Sequence, residues 1–183
     1  MSRLVILDRD GVINADSDYF VRSIAEWQPL PGSIEAIAHL HEAGFVVTVA
    51  SNQSGVGRGL FTRETVYGMH KKLRRLVRAA GGEIAAIAFC PHHPDKGCSG
   101  RKPRTGLYTR LANETGLPLD GAIVIGDSLR DLEAGDRVGA ELWLVRTGKG
   151  ARSLKQAADK PPAWWPRVRI ADDLAAVVAQ VTA

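Results

Sequence analysis

The chain has 183 residues, enough for one domain, and an ordinary soluble composition of 45% hydrophobic and 24% charged residues. No apolar run is long enough to cross a bilayer, and the first hydrophobic stretch is short and ends in acids. A cytoplasmic protein with no membrane partner and no secretory signal is therefore expected. The formal charge of +4 favours anionic partners weakly, and two cysteines, Cys90 and Cys98, argue against a disulfide scaffold.

Leu4 to Leu7 is a continuous apolar run, which predicts a strand buried on both faces. Asp8-Arg9-Asp10-Gly11 follows at its carboxyl end, where open α/β sheets bind ligands. In extended backbone Asp8 and Asp10 point the same way. Their mutual repulsion is relieved if a divalent cation sits between them, and an ordinary Asp-Gly turn is the competing reading. Gly11 permits a sharp turn.

Residues 14–31 read as a loop, followed by a helix from Ser33 with Ile34, Ile37, Ala38 and Leu40 on one face, ended near Gly44. Phe45 to Ala50 predicts a second strand. Ser51 to Gly59 predicts a polar, glycine-rich loop able to form an anion nest, or a plain surface loop. Thr62 is placed to cap a helix whose apolar positions Val66, Met69, Leu73, Leu76, Val77 and Ala80 keep a 3.6-residue period. Its cations Lys71, Lys72, Arg74, Arg75 and Arg78 read as a solvated face, with no interleaved aromatic residues to stack nucleic-acid bases.

A third strand is expected over Ile84 to Phe89 and a polar Cys/His loop over residues 90–104. A helix follows from Thr105 to Thr115, a fourth strand from Ala122 to Ile125 running into Gly126-Asp127-Ser128, and a helix from Leu129 to Val138. Glu141 to Val145 predicts a fifth strand, residues 147–166 a loop, and Leu174 to Val181 a terminal helix. The alternation predicts one α/β domain over residues 1–183: a doubly wound parallel sheet of five or six strands, helices on both faces and no large cap domain.

In such a sheet the loops after the first four strands share one edge. They bring together Asp8, Asp10 and Asp127, with Asp131 read either with them or as a helix N-terminal acid, beside a Ser51 hydroxyl, Arg101 and Lys102. Carboxylates able to hold Mg²⁺ beside groups able to hold phosphate make a phosphoryl-transfer site, and a carboxylate nucleophile there can form an aspartyl-phosphate. No Gly-x-x-x-x-Gly-Lys loop is present, so ATP binding of that type is not indicated.

Asp8-Arg9-Asp10-Gly11, Ser51-Asn52-Gln53, Arg101-Lys102-Pro103 and Gly126-Asp127, in this order, resemble the four motifs of the haloacid dehalogenase (HAD) superfamily of phosphatases. Within it the chain is similar to the branch of histidinol-phosphate and heptose-bisphosphate phosphatases. The stretches from Asn52 to Gly59 and from Val145 to Lys149 favour the heptose side.

The resemblance implies Asp8 as nucleophile and Asp10 as general acid and base. It implies Asp8, Asp127 and the backbone carbonyl of Asp10 as Mg²⁺ ligands, with the Ser128 carbonyl as a further contact. Ser51 and Lys102 would hold the phosphoryl oxygens, and Arg9 and Arg101 would recognise substrate. Asp16 and Tyr19, with Asn52, Gln53 and Ser54, would line the sugar pocket. The implied activity is removal of the 7-phosphate from a heptose bisphosphate, in the pathway to lipopolysaccharide-core heptose, by a monomer with no nucleic-acid partner. Histidinol phosphate is the alternative substrate. A non-catalytic phospho-acceptor domain is the alternative of another class, and a zinc-stabilised nucleic-acid binder is the third.

Two positions depart from the family pattern: Ser51 stands where Thr is usual, and Ser128 where Lys is frequent. The resemblance also implies a structural Zn²⁺ on Cys90, His92 and Cys98, but Gly100 occupies the fourth ligand position, so His93, Asp95 or a water would complete the shell, and a proline-held loop with no metal is the competing reading.

Overall fold

The structure, a computed structural model, describes residues 2–183. The elements run β1 (Leu4–Leu7), α1 (Ser33–Glu42), β2 (Val46–Asn52), the single turn α2 (Ser54–Gly57), α3 (Arg63–Ala79), β3 (Ala86–Cys90) and α4 (Gly106–Thr115). They continue with β4 (Ile123–Gly126), α5 (Leu129–Asp136), β5 (Glu141–Val145), α6 (Gly150–Asp159), β6 (Val168–Ala171) and α7 (Leu174–Val181). All six strands form one sheet in the order β3-β2-β1-β4-β5-β6, and every pairing is parallel.

Successive residues of a strand face opposite sides, so β1 feeds two cores. Val5 and Leu7 pack with Ile37 and Leu40 of α1, Met69 and Leu73 of α3, and Val177 of α7. Leu4 and Ile6 pack with Leu107 and Leu111 of α4 and Leu132 of α5. Each such side chain contributes about 1.5–3 kcal/mol by leaving water. Thr62 caps α3 as its position predicts, its hydroxyl accepting from the Thr65 N–H at 3.2 Å.

From β1 the chain builds outward to β2 and β3, then crosses back to place β4, β5 and β6 on the other side. The order reverses beside β1, so the carboxyl ends of β1 and β4 border the crevice where such sheets bind ligands. Leu7 is in register with Ile125, and the Asp8 N–H donates to the Ile125 carbonyl at 3.0 Å. That register brings Asp8 next to Asp127. Neither the connection from β1 to α1 nor that from β2 to α3 builds a separate layer over this edge.

Three elements differ from the sequence expectation. Residues 147–166 are not one loop: they contain α6, whose inward face is Gly150, Ser153 and Ala157. That face carries no large apolar side chain, because the helix packs so close that a Cβ on Gly150 would strike the Val145 carbonyl. β6 is the edge strand, with Arg169 and Ile170 exposed, and so lacks a buried run. Finally, Ser51 and Asn52 belong to β2, and Ser54–Gly57 is a helical turn rather than a nest. Gly55 there makes room for the Phe61 ring and Gly57 for the 91–93 backbone, so these glycines serve packing.

Candidate active site

The crevice is a cavity of about 340 Å³ at the carboxyl edge of the sheet, lined by Asp8, Asp10 and Asp127 together with Asn52, Gln53, Ser54, Arg101 and Lys102. Lys102 lies across its base, 2% exposed. Its ammonium donates to the Ala50 carbonyl at 2.7 Å and pairs with Asp8 Oδ1 at 3.0 Å and Asp131 Oδ1 at 2.6 Å. Burial alone would lower the Lys102 pKa; the Asp131 and Asp8 charges outweigh it and raise it, so the ammonium stays charged. The Asn52 side chain fixes the segment that delivers it, accepting from Lys102 N–H and donating to its carbonyl, both at 3.1 Å.

Carboxylate oxygens of Asp8, Asp127 and Asp131 lie within 4.8 Å of one another. Burial first, then the neighbouring carboxylates, raise the Asp8 pKa to about 7 and that of Asp127 to about 9. Such a set relaxes when a hard divalent cation replaces the protons. Asp131 is already committed: Oδ1 to Lys102, and Oδ2 to the Ser128 hydroxyl at 2.9 Å and N–H at 3.1 Å, which ties off the start of α5. Asp131 therefore acts as both the helix-end acid and the partner of Lys102. Asp8 and Asp127 are left to face a cation.

The carboxylates of Asp8 and Asp10 do not form the one cation-facing pair that extended backbone predicts; Asp8 groups with Asp127 and Asp131 instead. Past Leu7 the chain leaves the extended conformation and turns at Gly11, φ +86°, which takes the Asp10 carboxylate out of the cluster. Arg9 grips it through Nε at 3.1 Å and Nη2 at 2.9 Å, Asn14 donates at 2.8 Å, and Gln53 donates at 2.8 Å. Burial alone would raise the Asp10 pKa; the Arg9 charge and these hydrogen bonds outweigh it and hold the group below the ordinary value.

Arg9, expected to meet substrate, is fully buried behind Asp10 with Nη1 toward Met69 and His70, so it positions the acid instead. Tyr19 also departs from expectation: it is 79% exposed and outside the cavity wall, whereas Asp16, Ser17, Asp18 and Phe20 line it. Ser51 is buried with its hydroxyl taking a bond from Gln53 at 2.7 Å, and Ser128 lines the cavity.

The structure adds residues the sequence reading did not place. Asn14 is drawn in by the turn at Gly11. Lys149 and Arg152 come from the start of α6, where they pair with Asp16 at 3.2 Å and Asp18 at 3.6 Å. The Lys149 N–H also donates to Asp127 Oδ2 at 2.8 Å, and the Thr147 hydroxyl donates to the Gly11 carbonyl at 2.7 Å. The 145–149 stretch thus locks the first and fourth loops together. Arg58 and Arg130 join Arg101 in lining the cavity, near enough for their charges to act on it. Burial, then the charges of Arg130 and Arg58, depress the Arg101 pKa, and Arg101 Nη1 is buried without a partner. Unlike Lys102, Lys149 and Arg152, none of these three guanidiniums pairs with a carboxylate among the described residues.

Beside this wall, ligand atoms of Cys90, His92 and Cys98 lie within 4.8 Å of one another. Cys90 Sγ is 3.6 Å from His92 Nδ1. Two thiols and an imidazole are zinc-type donors. Gly100 directs its N–H to Cys98 Sγ at 3.4 Å, and His93 Nδ1 is turned to Asp95 at 3.2 Å.

Comparison with known proteins gives the same reading. The HAD-hydrolase-like family model matches residues 99–177. The D-glycero-beta-D-manno-heptose-1,7-bisphosphate 7-phosphatase of Pseudomonas putida is 46% identical over 179 residues, 98% of this chain and 99% of that protein. The crystal structure of the D,D-heptose 1,7-bisphosphate phosphatase from Bordetella bronchiseptica, complexed with magnesium and phosphate, superposes with a TM-score of 0.91 at 47% identity, covering 98% of this chain and 97% of that one. The enzyme of the same name from Burkholderia thailandensis superposes with a TM-score of 0.74 at 40% identity, covering 98% of each chain. With identity of this degree over nearly its whole length, the chain belongs to the D-glycero-D-manno-heptose-1,7-bisphosphate 7-phosphatase family of HAD-like phosphatases.

Proposed function

We propose that this chain, acting as one cytoplasmic domain, hydrolyses the 7-phosphate of D-glycero-D-manno-heptose 1,7-bisphosphate through a phosphoryl group carried on Asp8. An Asp8 carboxylate oxygen attacks phosphorus, and the bond from phosphorus to the sugar oxygen breaks. Asp10 delivers a proton to that departing oxygen. The lowered pKa keeps Asp10 ionised in the free site, and the incoming phosphate dianion raises it by like charge, which favours the acid form and strengthens the group as a base. Asp10 then takes a proton from water, which attacks phosphorus, releases phosphate and restores Asp8. Lys102 faces the charge that builds on the phosphoryl oxygens.

Asp8, Asp127 and the carbonyl of Asp10 are the residues proposed to hold Mg²⁺, which when bound neutralises phosphoryl charge. The three-carboxylate set within 4.8 Å supports this assignment.

The unpaired wall of Arg58, Arg101 and Arg130 carries the choice of substrate. These three cations line the same cavity as Asp8 and Lys102, and their free charge is read as a second anion position beside the reacting phosphate. A bisphosphate fills both; histidinol phosphate would bring its ammonium against three guanidiniums. Specificity constants for the heptose bisphosphate and histidinol phosphate, measured side by side, test the reading. Preference for histidinol phosphate overturns it.

Cys90, His92 and Cys98 are proposed to hold a zinc ion completed by water, since His93 is engaged elsewhere. It would brace the loop that carries Arg101 and Lys102. Metal content near one zinc per chain in protein purified without chelator is expected, and content well below that refutes the site.

A further inference from the structure

We propose that the outer flank of α3, where it meets the edge strand β3, is a docking groove for an extended acidic polypeptide segment with alternating apolar side chains. Helix α3 reaches the edge strand but covers it only in part, leaving Ile87 and Phe89 half-buried. The gap is a depression of about 1150 Å³, larger than the catalytic cavity. Its floor is Ile24, Tyr67, Ile87 and Phe89; Ile24 is 44% and Tyr67 55% exposed. β3 is the last strand on this side of the sheet, so its outer edge has no strand neighbour among the described residues. An extended chain is the shape that such an edge accepts.

The rim is cationic: Lys71, Lys72, Arg74, Arg75 and Arg78. A solvated helix face normally sets opposite charges three or four residues apart. Elsewhere this protein does so, with Arg110 on Glu114 and Arg137 on Glu133. On α3 the same spacings join like charges: Lys71 with Arg74 and Arg75, and Arg78 with Arg74 and Arg75. None of the five pairs with a carboxylate among the described residues. Lys72 and Arg74 turn instead to main-chain carbonyls. Folding does not ask for this repulsion, and an anionic occupant would relieve it. The five-cation run therefore borders an apolar trough rather than facing only water.

The occupant is narrowed by the floor. Tyr67 and His70 meet Phe89 edge-on, with ring centroids 5.6 Å apart and interplanar angles of 76° and 71°. The rings stand edge to face on one another rather than as a row of parallel plates on which successive bases would stack. A second copy would present the same positive patch to this one.

The test is fluorescence anisotropy of the full-length protein with a synthetic peptide alternating Glu with Leu and Trp, beside a control carrying Lys for Glu. Saturable binding of the acidic peptide, weakened by salt and lost at least about tenfold in Arg75→Glu/Arg78→Glu and in Tyr67→Ala, is expected. Unchanged phosphatase activity in these variants shows that they fold. Absence of saturable binding, equal binding of the Lys peptide, or indifference to the substitutions overturns the proposal. So does tighter groove-dependent binding of single-stranded RNA or phosphatidylglycerol vesicles, or a dimer in sedimentation that Arg75→Glu/Arg78→Glu abolishes.

Discussion

Replacing Lys102 with methionine keeps an unbranched stem of similar reach but removes the ammonium that lies 3.0 Å from Asp8 and 2.6 Å from Asp131. The Ala50 carbonyl loses its donor as well. Removing one partner of a buried pair costs about 3–5 kcal/mol, because the other charge stays behind unpaired. For a chain of this size that is a fall in Tm of roughly 6–20 °C.

The loss depends on pH in a defined direction. Burial and Asp131 already push the Asp8 pKa to about 7, and Lys102 opposes them. In Lys102→Met the Asp8 pKa rises further, so at mildly acidic pH that carboxyl is protonated and only Asp131 is left facing the missing ammonium. Above that pKa the full penalty returns. Urea unfolding in the presence of a chelator, at about pH 6 and about pH 9, should give a larger loss at the higher pH. Saturating Mg²⁺ should return part of it. Turnover should fall by about 10²–10³, the range for losing one preorganised donor to transition-state charge. An equal stability loss at both pH values would refute the assignment of Lys102 as counter-charge to the cluster.

Asp8→Asn should leave folding intact and abolish turnover, whereas Asp10→Asn should cost roughly 10²–10⁴ in rate, as for loss of a general acid and base; near-normal turnover of Asp10→Asn in steady-state assays would remove its role. Chelated wild-type protein should lose stability as pH rises. Asp8 and Asp127, folded pKa about 7 and about 9 against an ordinary 3.8, favour the fold when protonated and burden it once ionised. The Tm gain on adding Mg²⁺ should accordingly be larger near pH 9 than near pH 6, and a pH-independent gain would contradict the cluster as the cation site. Gly11→Ala should cost at least about 1–2 kcal/mol from its left-handed backbone alone. Its new methyl would also collide with the Asp127 carboxylate, so Mg²⁺ affinity by calorimetry should fall, and unchanged affinity would refute the packing of these loops.

The sequence by itself determined the sheet and the shared edge, because apolar runs such as Leu4–Leu7 and Ile123–Gly126 leave a strand no alternative to burial, and each ends in an acid. Asp8, Asp10 and Asp127 are legible for that reason, and Lys102 as a phosphate-type cation on the loop that the third strand sends to the same edge. Tertiary structure alone decided which groups face one another. Arg9 and Asp10 are neighbours in sequence, yet the turn at Gly11 sends one into the core to hold the other. Lys149 and Arg152 reach the cavity from the start of α6, whose inward face of Gly150, Ser153 and Ala157 holds no large apolar side chain to announce burial, because close packing there requires small ones. The unpaired trio Arg58, Arg101 and Arg130 comes from three separate segments. A charge lacking its partner is a property of the space around it, which local sequence does not encode.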